Sequence, residues 1–327
     1  MKKPDILERL NNGVVIGDGG YLLELEKRGY VKAGPFTPEV ATEHPEALRQ
    51  LHREFFRAGS EVLQTCTFYA SEEKLRSAGY ADQVEQINRS AVRLAREVAS
   101  DQALVAGNLC LTWQYQPDDP RSDDRVLNLF RQQVALQAEE GVDFFIAETF
   151  HYLGEAVLAL QAIKEAGYAA MITFNFKQPA VSRDGFTPAQ CAVKLEEKGA
   201  DIVGANCGRD PVHMLPLVEE MRKAVKCHLA IQAAGFRCTD ATPYFMGLPQ
   251  FPLELDPLQL TRGEMADYAR RARDMGINYI GACCGVTAAH IRSMAETLGR
   301  TTLASDKSPN LDIHPILGPE KVGTAAR

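Results

Sequence analysis

Lys198-Gly199-Ala200-Asp201-Ile202-Val203-Gly204-Ala205-Asn206-Cys207 and Met275-Gly276-Ile277-Asn278-Tyr279-Ile280-Gly281-Ala282-Cys283-Cys284-Gly285 share one pattern: a glycine, then a short apolar run. Glycine just past a helix end accepts the left-handed conformation that stops the helix, so each stretch reads as a helix feeding a strand. The same step recurs at Ala58-Gly59-Ser60 and Glu140-Gly141-Val142-Asp143. Working outward, eight β-rich runs can be marked, at 14–20, 61–68, 103–109, 144–150, 169–176, 201–207, 228–234 and 279–285. Between them, 45–58, 81–100, 124–140, 153–166, 188–198, 211–225 and 262–275 carry apolar residues at helical spacing with charges between. Near-continuous apolar strands alternating with helices call for a parallel sheet buried on both faces. The expected fold is therefore α/β, a closed (β/α)8 TIM barrel over residues 1–300, with a Gly/Pro/Ser-containing tail at 301–327 that wraps or frays. An open doubly wound sheet is the competitor, and eight regular units without a composition break count against it.

The chain has 327 residues, 45% hydrophobic and 24% charged, enough for one large barrel. Its net charge of -7 comes without a basic run, which argues against nucleic acid and anionic membrane surfaces and leaves small-molecule substrates as partners. The N-terminal Met-Lys-Lys-Pro-Asp-Ile has no apolar core after its lysines, and no run approaches the roughly 20 apolar residues of a membrane span. A cytoplasmic placement is expected. Eight cysteines are too sparse for a disulfide scaffold, and Cys66, Cys110, Cys191, Cys227 and Cys238 lack partners at metal-ligand spacing, so they read as small buried apolar residues. The seven histidines show no ligand spacing either.

Cys207 and the pair Cys283 and Cys284 differ, because they sit where the sixth and eighth strand runs stop. Alone, each reads as strand packing. In one barrel they converge at the C-terminal rim, where active sites of this fold lie. Three thiolates are a donor set for Zn2+ with a fourth position open, which is the pattern of a catalytic site. Gly281 and Gly285 would let the chain bend so that both neighbouring sulfurs face one ion.

Gly17-Asp18-Gly19-Gly20 ends the first run. It lacks the spacing of a dinucleotide fingerprint and the lysine of a phosphate loop. In a barrel Asp18 would point a carboxylate into the pocket, with Gly19 and Gly20 letting substrate approach the backbone; the alternative is an N-cap for a helix at 21–28. Glu148 closes the fourth run, Phe-Phe-Ile-Ala-Glu-Thr-Phe, where an unpaired carboxylate is costly to bury. Asp18 and Glu148 together suit a substrate ammonium, with a rim salt bridge as the alternative. Phe36, Phe68, Tyr69 and Trp113 fall at loops expected on the same rim, and aromatic faces attract quaternary cations. The long loops at 111–124, 177–186 and 235–257 belong to that face too.

From about Ile6 to Asp312 the chain resembles the zinc-dependent homocysteine S-methyltransferase family. Val-Ile-Gly-Asp-Gly-Gly-Tyr, Leu-Glu-Lys-Arg-Gly-Tyr-Val-Lys-Ala-Gly-Pro-Phe-Thr-Pro-Glu and Gln-Thr-Cys-Thr-Phe-Tyr-Ala-Ser-Glu-Glu-Lys-Leu are similar to its betaine-using branch; Gly-Ala-Asn-Cys and Gly-Ala-Cys-Cys-Gly mark the wider family. The resemblance implies that Cys207, Cys283 and Cys284 bind Zn2+, that Asp18 and Glu148 hold the amino group of homocysteine, and that Tyr69 and Phe36 contact the methyl donor; the residue reading adds Gly19 on the homocysteine side and Phe68 and Trp113 on the donor side. No catalytic side chain beyond the metal-activated substrate thiol is then expected. The implied reaction is methyl transfer from glycine betaine to homocysteine, giving methionine and dimethylglycine. Two positions depart from the betaine branch: Phe36 replaces its tryptophan, and Thr149 replaces a tyrosine that can cover the metal. Phe36 keeps a sulfonium donor open, such as dimethylsulfoniopropionate or S-methylmethionine. A non-catalytic zinc- or thiol-sensing barrel is the rival from another class. Animal members continue into a C-terminal arm used in oligomerisation; without an obvious equivalent before Arg327, a homo-oligomer of different or weaker assembly is expected.

Overall fold

The computed structural model describes residues 3–31 and 38–305. Phe36 and the tail beyond 305 lie outside the described residues. Eight strands form one sheet: β1 (Val15–Ile16), β2 (Val62–Gln64), β3 (Leu104–Cys110), β4 (Phe144–Phe150), β5 (Ala170–Phe174), β6 (Ile202–Asn206), β7 (His228–Ala233) and β8 (Tyr279–Ala282). All pairs are parallel in the order β1-β8-β7-β6-β5-β4-β3-β2. At the seam between β1 and β2, Glu61 N donates to Ile16 O at 2.8 Å and Ile16 N donates to Glu61 Oε2 at 3.0 Å. Higher on that seam Gln64 N donates to Asp18 Oδ2 at 2.7 Å, so two carboxylates stand in where strand-to-strand ladder bonds are missing. The expected barrel is the fold found.

Twelve α-helices are described: α1 (Ile6–Asn11), α2 (Leu22–Lys27), α3 (Val40–Glu43), α4 (Pro45–Ala58), α5 (Glu72–Ser77), α6 (Val84–Ala99), α7 (Pro120–Glu139), α8 (Leu153–Glu165), α9 (Pro188–Glu197), α10 (Pro211–Ala224), α11 (Arg262–Asp274) and α12 (Ala288–Thr297). The seven anticipated helices are all present. The eighth outer helix, α12, and the short α1, α3 and α5 were not anticipated; α12 completes the last unit and packs on α11 and α4.

Alternation along the strands builds two cores. Phe144, Ile146, Ile202, Ala230 and Tyr279 point into the barrel, where Ile6 and Leu10 of α1 join them at the N-terminal end. Phe145, Ala147, Val203, Ala205 and Ile280 point outward to the helices. Continuing the inward register puts Glu148 on β4 and Asn206 on β6 inside the barrel at its C-terminal end. Strands β1 and β2 are shorter than the apolar runs suggested, because the chain turns early. Ala282 N donates to Asp18 O at 2.9 Å, Gly20 N donates to Val286 O at 3.0 Å, and Thr67 N donates to Thr65 O at 2.8 Å.

Candidate metal centre

Strand β6 ends at Asn206, and Cys207 takes the left-handed conformation, φ +55°, with Gly208 following at +70°. Cys207 N still donates to Gln232 O of β7 at 2.8 Å, which anchors the bend. Cys283 and Cys284 lie just past β8, so strand alternation no longer separates them. Cys283 N donates to Ala233 O at 2.9 Å and Cys284 O accepts from Gly235 N at 2.8 Å. Gly285 has φ +82°, and a Cβ there would lie 2.6 Å from the Phe236 ring; this is the glycine that turns the loop. Gly281, to which the same role was assigned, shows no such conformation. The three sulfurs all lie within 4.8 Å of one another, with Cys207 Sγ 3.7 Å from Cys284 Sγ and Cys283 Sγ 4.0 Å from Cys284 Sγ. Such a cluster can hold a metal ion. Thiol hydrogen bonds from Cys283 and Cys284 hold Cys207 well below the ordinary thiol range, while their bonds to Cys207 hold Cys283 and Cys284 well above it. A bound cation would favour ionisation of all three.

The cluster forms one wall of a cavity of about 90 Å³ that also exposes Gly19, Tyr21, Gln64, Cys66, Phe68, Glu148 and Thr149. Glu148, only 5% exposed, accepts hydrogen bonds from Asn108 Nδ2 at 2.7 Å, from Asn206 Nδ2 at 2.9 Å and from the Gln64 side-chain amide. Burial nevertheless pushes its carboxyl up to about 8, against the lowering pull of Asn108 and Gln64. Asn206 is fixed in turn by Thr173 Oγ1 at 2.8 Å and Thr149 N at 2.9 Å. No basic side chain pairs with Glu148 among the described residues, so the rim salt bridge is not what this carboxylate makes.

Asp18 sits behind the cavity wall. Its Oδ2 accepts from Gln64 N and from the Tyr21 hydroxyl, both at 2.7 Å, and burial pushes it up to about 6. It does not cap α2, whose N-terminal residue Tyr21 has no side-chain cap. Gln64 thus touches both acids, Asp18 through its backbone and Glu148 through its side chain. Gly19 does line the cavity, but its missing side chain serves packing: a Cβ would lie 2.6 Å from Val286 O.

The aromatic residues form a row rather than a ring. Phe68 lines the cavity; its centroid is 4.4 Å from that of Tyr69, which is 5.2 Å from that of Trp113. Trp113 is 62% exposed, and neither it nor Tyr69 lines the cavity. The Lys74 Nζ lies over both the Tyr69 and Trp113 rings, so that pair already faces an amine of this chain. Sequence reasoning missed Gln64, Asn108, Asn206 and Lys74. The first three had a signal, an amide side chain inside an apolar run; Lys74, in Ser-Glu-Glu-Lys-Leu, had none.

Tyr69, Trp113 and Cys207 follow strands β2, β3 and β6, and Thr149 lies near the end of β4 where its register shifts; all four have φ between 55° and 66°. Non-glycine residues held left-handed cost on the order of 1–3 kcal/mol each and concentrate at functional sites. Among the described residues four of five gather on one rim; the fifth is Ser100.

The sequence model described as Homocysteine S-methyltransferase matches residues 15–298. The betaine–homocysteine S-methyltransferase 1 of Bos taurus is 45% identical over 95% of this chain and 81% of its own length. That of Danio rerio is 47% identical over 90% and 76%. An S-methylmethionine–homocysteine S-methyltransferase of Pongo abelii is 45% identical over 90% and 82%. Among solved structures, the metallated homocysteine methyltransferase MmuM of Escherichia coli superposes with a TM-score of 0.70 at 20% identity, over 87% of this chain and 96% of that one. The chain belongs to the homocysteine S-methyltransferase family.

Proposed function

We propose that this chain transfers a methyl group from glycine betaine to homocysteine, producing methionine and dimethylglycine. The observation that carries the reading is three thiols and a buried, amide-held Glu148 facing one cavity, in a chain 45% identical to betaine-using relatives. We take the ion to be Zn2+. Sulfurs 3.7 and 4.0 Å apart suit two corners of a tetrahedron with bonds of about 2.3 Å, whose edge is about 3.8 Å. Bound there by Cys207, Cys283 and Cys284, it would supply the Lewis acidity that keeps the homocysteine thiol ionised near neutral pH.

The remaining work falls to the chain. Glu148 accepts the homocysteine ammonium, and the arriving cation brings its raised pKa down, so the carboxylate is charged when it is needed. Asn108, Asn206 and Gln64 fix its two oxygens, while Asp18 behind Gln64 adds negative potential at the same end. Phe68, backed by Tyr69, faces the onium donor beyond the thiols, with Trp113 at the rim. In the transfer the sulfur lone pair bonds to the methyl carbon as the C–N bond breaks, both electrons going to nitrogen; the donor's fixed charge disappears and no proton moves on it. All eight cysteines are free thiols, which fits a reducing cytosol, and among the described residues no helix is long and apolar enough to cross a membrane.

A sulfonium donor is the second reading, favoured by the 45% identity to an S-methylmethionine-using relative. Membership in a methyltransferase family displaces the sensing barrel. The test is methionine formation by zinc-loaded protein with homocysteine and, in parallel, glycine betaine, dimethylsulfoniopropionate and S-methylmethionine. Turnover with betaine is expected; turnover with only a sulfonium would transfer the assignment to the second reading, and none at all would overturn both.

A further inference from the structure

Lys74 is a buried amine whose pKa burial lowers to about 7, so it is fully charged only below neutral pH, and among the described residues no anion pairs with it. It lies on the six-residue α5, is 3% exposed, and its Nζ has no hydrogen-bond partner. Among the described residues it forms no salt bridge; the nearby Glu155 carboxylate, whose Oε1 accepts from both the Thr112 backbone N–H and the Thr112 hydroxyl at 2.6 Å, favours its charge only from a distance. An ammonium stripped of water and counter-ion is strongly unfavourable. What compensates it is the pair of ring faces, Tyr69 at 4.0 Å to the centroid and Trp113 closer still.

Tyr69 has a second side. Its ring packs against Phe68, which lines the cavity. The row Trp113, Tyr69, Phe68 therefore runs from the buried ammonium to the cavity that contains the thiols. A π-system that already stabilises one cation has less to offer another, and two positive charges across one ring repel through a low-dielectric medium.

We propose that Lys74 is a positioning residue that holds the Tyr69–Trp113 pair and weakens ground-state binding of the cationic methyl donor, a penalty released as the donor loses its charge during transfer. The idea rests on the onium-donor reading of the same cavity. An interaction that is unfavourable only while the donor is charged raises KM and kcat together, because it separates ground state from transition state.

The test compares Lys74→Met, which keeps the length and removes the charge, with Lys74→Arg, which keeps the charge. Methionine formation is measured with whichever onium donor the parent enzyme turns over, at a pH below about 7 where Lys74 is charged. For Lys74→Met, donor KM and kcat are both expected to fall about three- to tenfold while kcat/KM stays within about twofold, and Lys74→Arg is expected to stay near the parent. A residue that merely supports the fold would instead raise donor KM or lower kcat/KM; that outcome, or an unchanged donor KM, overturns the proposal. Trp113 is the single tryptophan, so its emission should change in Lys74→Met, and no change would refute the contact. Calorimetry adds a readout that needs no turnover. With methionine filling the acceptor site, Lys74→Met should bind glycine betaine more tightly but not its uncharged-headgroup analogue 3,3-dimethylbutanoate; equal changes for both would contradict a charge effect. Failure of the functional reading would appear separately, as a parent enzyme inactive with every donor.

Discussion

The two ends of this barrel are built on opposite principles. At the N-terminal end, Ile6 and Leu10 of α1 close on Val15, Val62, Leu104, Phe144, Ile146 and Ile202, all at most 1% exposed and none polar. At the C-terminal end the inward positions are Gln64, Asn108, Glu148, Asn206 and Gln232, followed by the thiols. Several polar atoms there, Gln64 Oε1, Asn108 Oδ1 and Gln232 Oε1, are buried without partners. Burial without satisfaction costs about 1–3 kcal/mol per group. The difference teaches that the first end carries the stability which the second spends on raised carboxyl pKa values, left-handed residues and clustered thiols.

Substitutions can break that contrast. The largest effect on turnover is expected from Cys207→Ala, Cys283→Ala or Cys284→Ala, each removing one of three metal ligands. Methionine formation should fall by at least about a thousandfold and zinc per chain, measured by mass spectrometry, should drop; full turnover in any one would remove that cysteine from the site. Glu148→Gln should raise homocysteine KM about a hundredfold, since a neutral amide cannot pair with the ammonium. It should also change stability in a pH-dependent way. The folded carboxyl titrates near 8 against an ordinary 4.5, so the folded state holds the extra proton between those values, and this group's contribution to stability falls as pH rises through that window. Melting curves of Glu148→Gln should lack that decline, whereas a slope identical to the parent's would show that Glu148 titrates normally.

Tyr69→Ala should raise the donor KM about tenfold with little change for homocysteine, and equal shifts for both substrates would remove it from the donor side. At the other end of the barrel, Leu10→Ala should cost about 2–5 kcal/mol in denaturant unfolding and leave kcat/KM of the folded enzyme unchanged. A loss of activity there without loss of stability would erase the division between the two ends.

How far the sequence discloses this molecule follows the same division. Eight strands and seven helices are legible because apolar period and helix-ending glycines are local signals. Helix α12 has the right spacing at Ile291, Met294 and Ala295, yet it directly follows the cysteine loop and is only ten residues long. The six-residue α1 and α5 are too short to show periodicity. The thiols were visible as unusual residues at strand ends. The amide cradle around Glu148 was not, because which strand positions share the interior at one height depends on register, such as Asn108 beside Ile146 and Asn206 beside Gln232. Asp18 was placed one step too far forward: nothing in Gly-Asp-Gly-Gly reveals that its carboxylate replaces a missing ladder bond. Lys74 is invisible for a simpler reason, since a lysine following two glutamates on a short helix reads as solvent-facing.

The most direct test of the three-thiol centre is X-ray absorption at the zinc edge, with and without homocysteine. Three sulfur neighbours at about 2.3 Å are expected in the resting protein and four once homocysteine is added. Fewer than three sulfurs at rest, or a count that homocysteine leaves unchanged, would contradict the account.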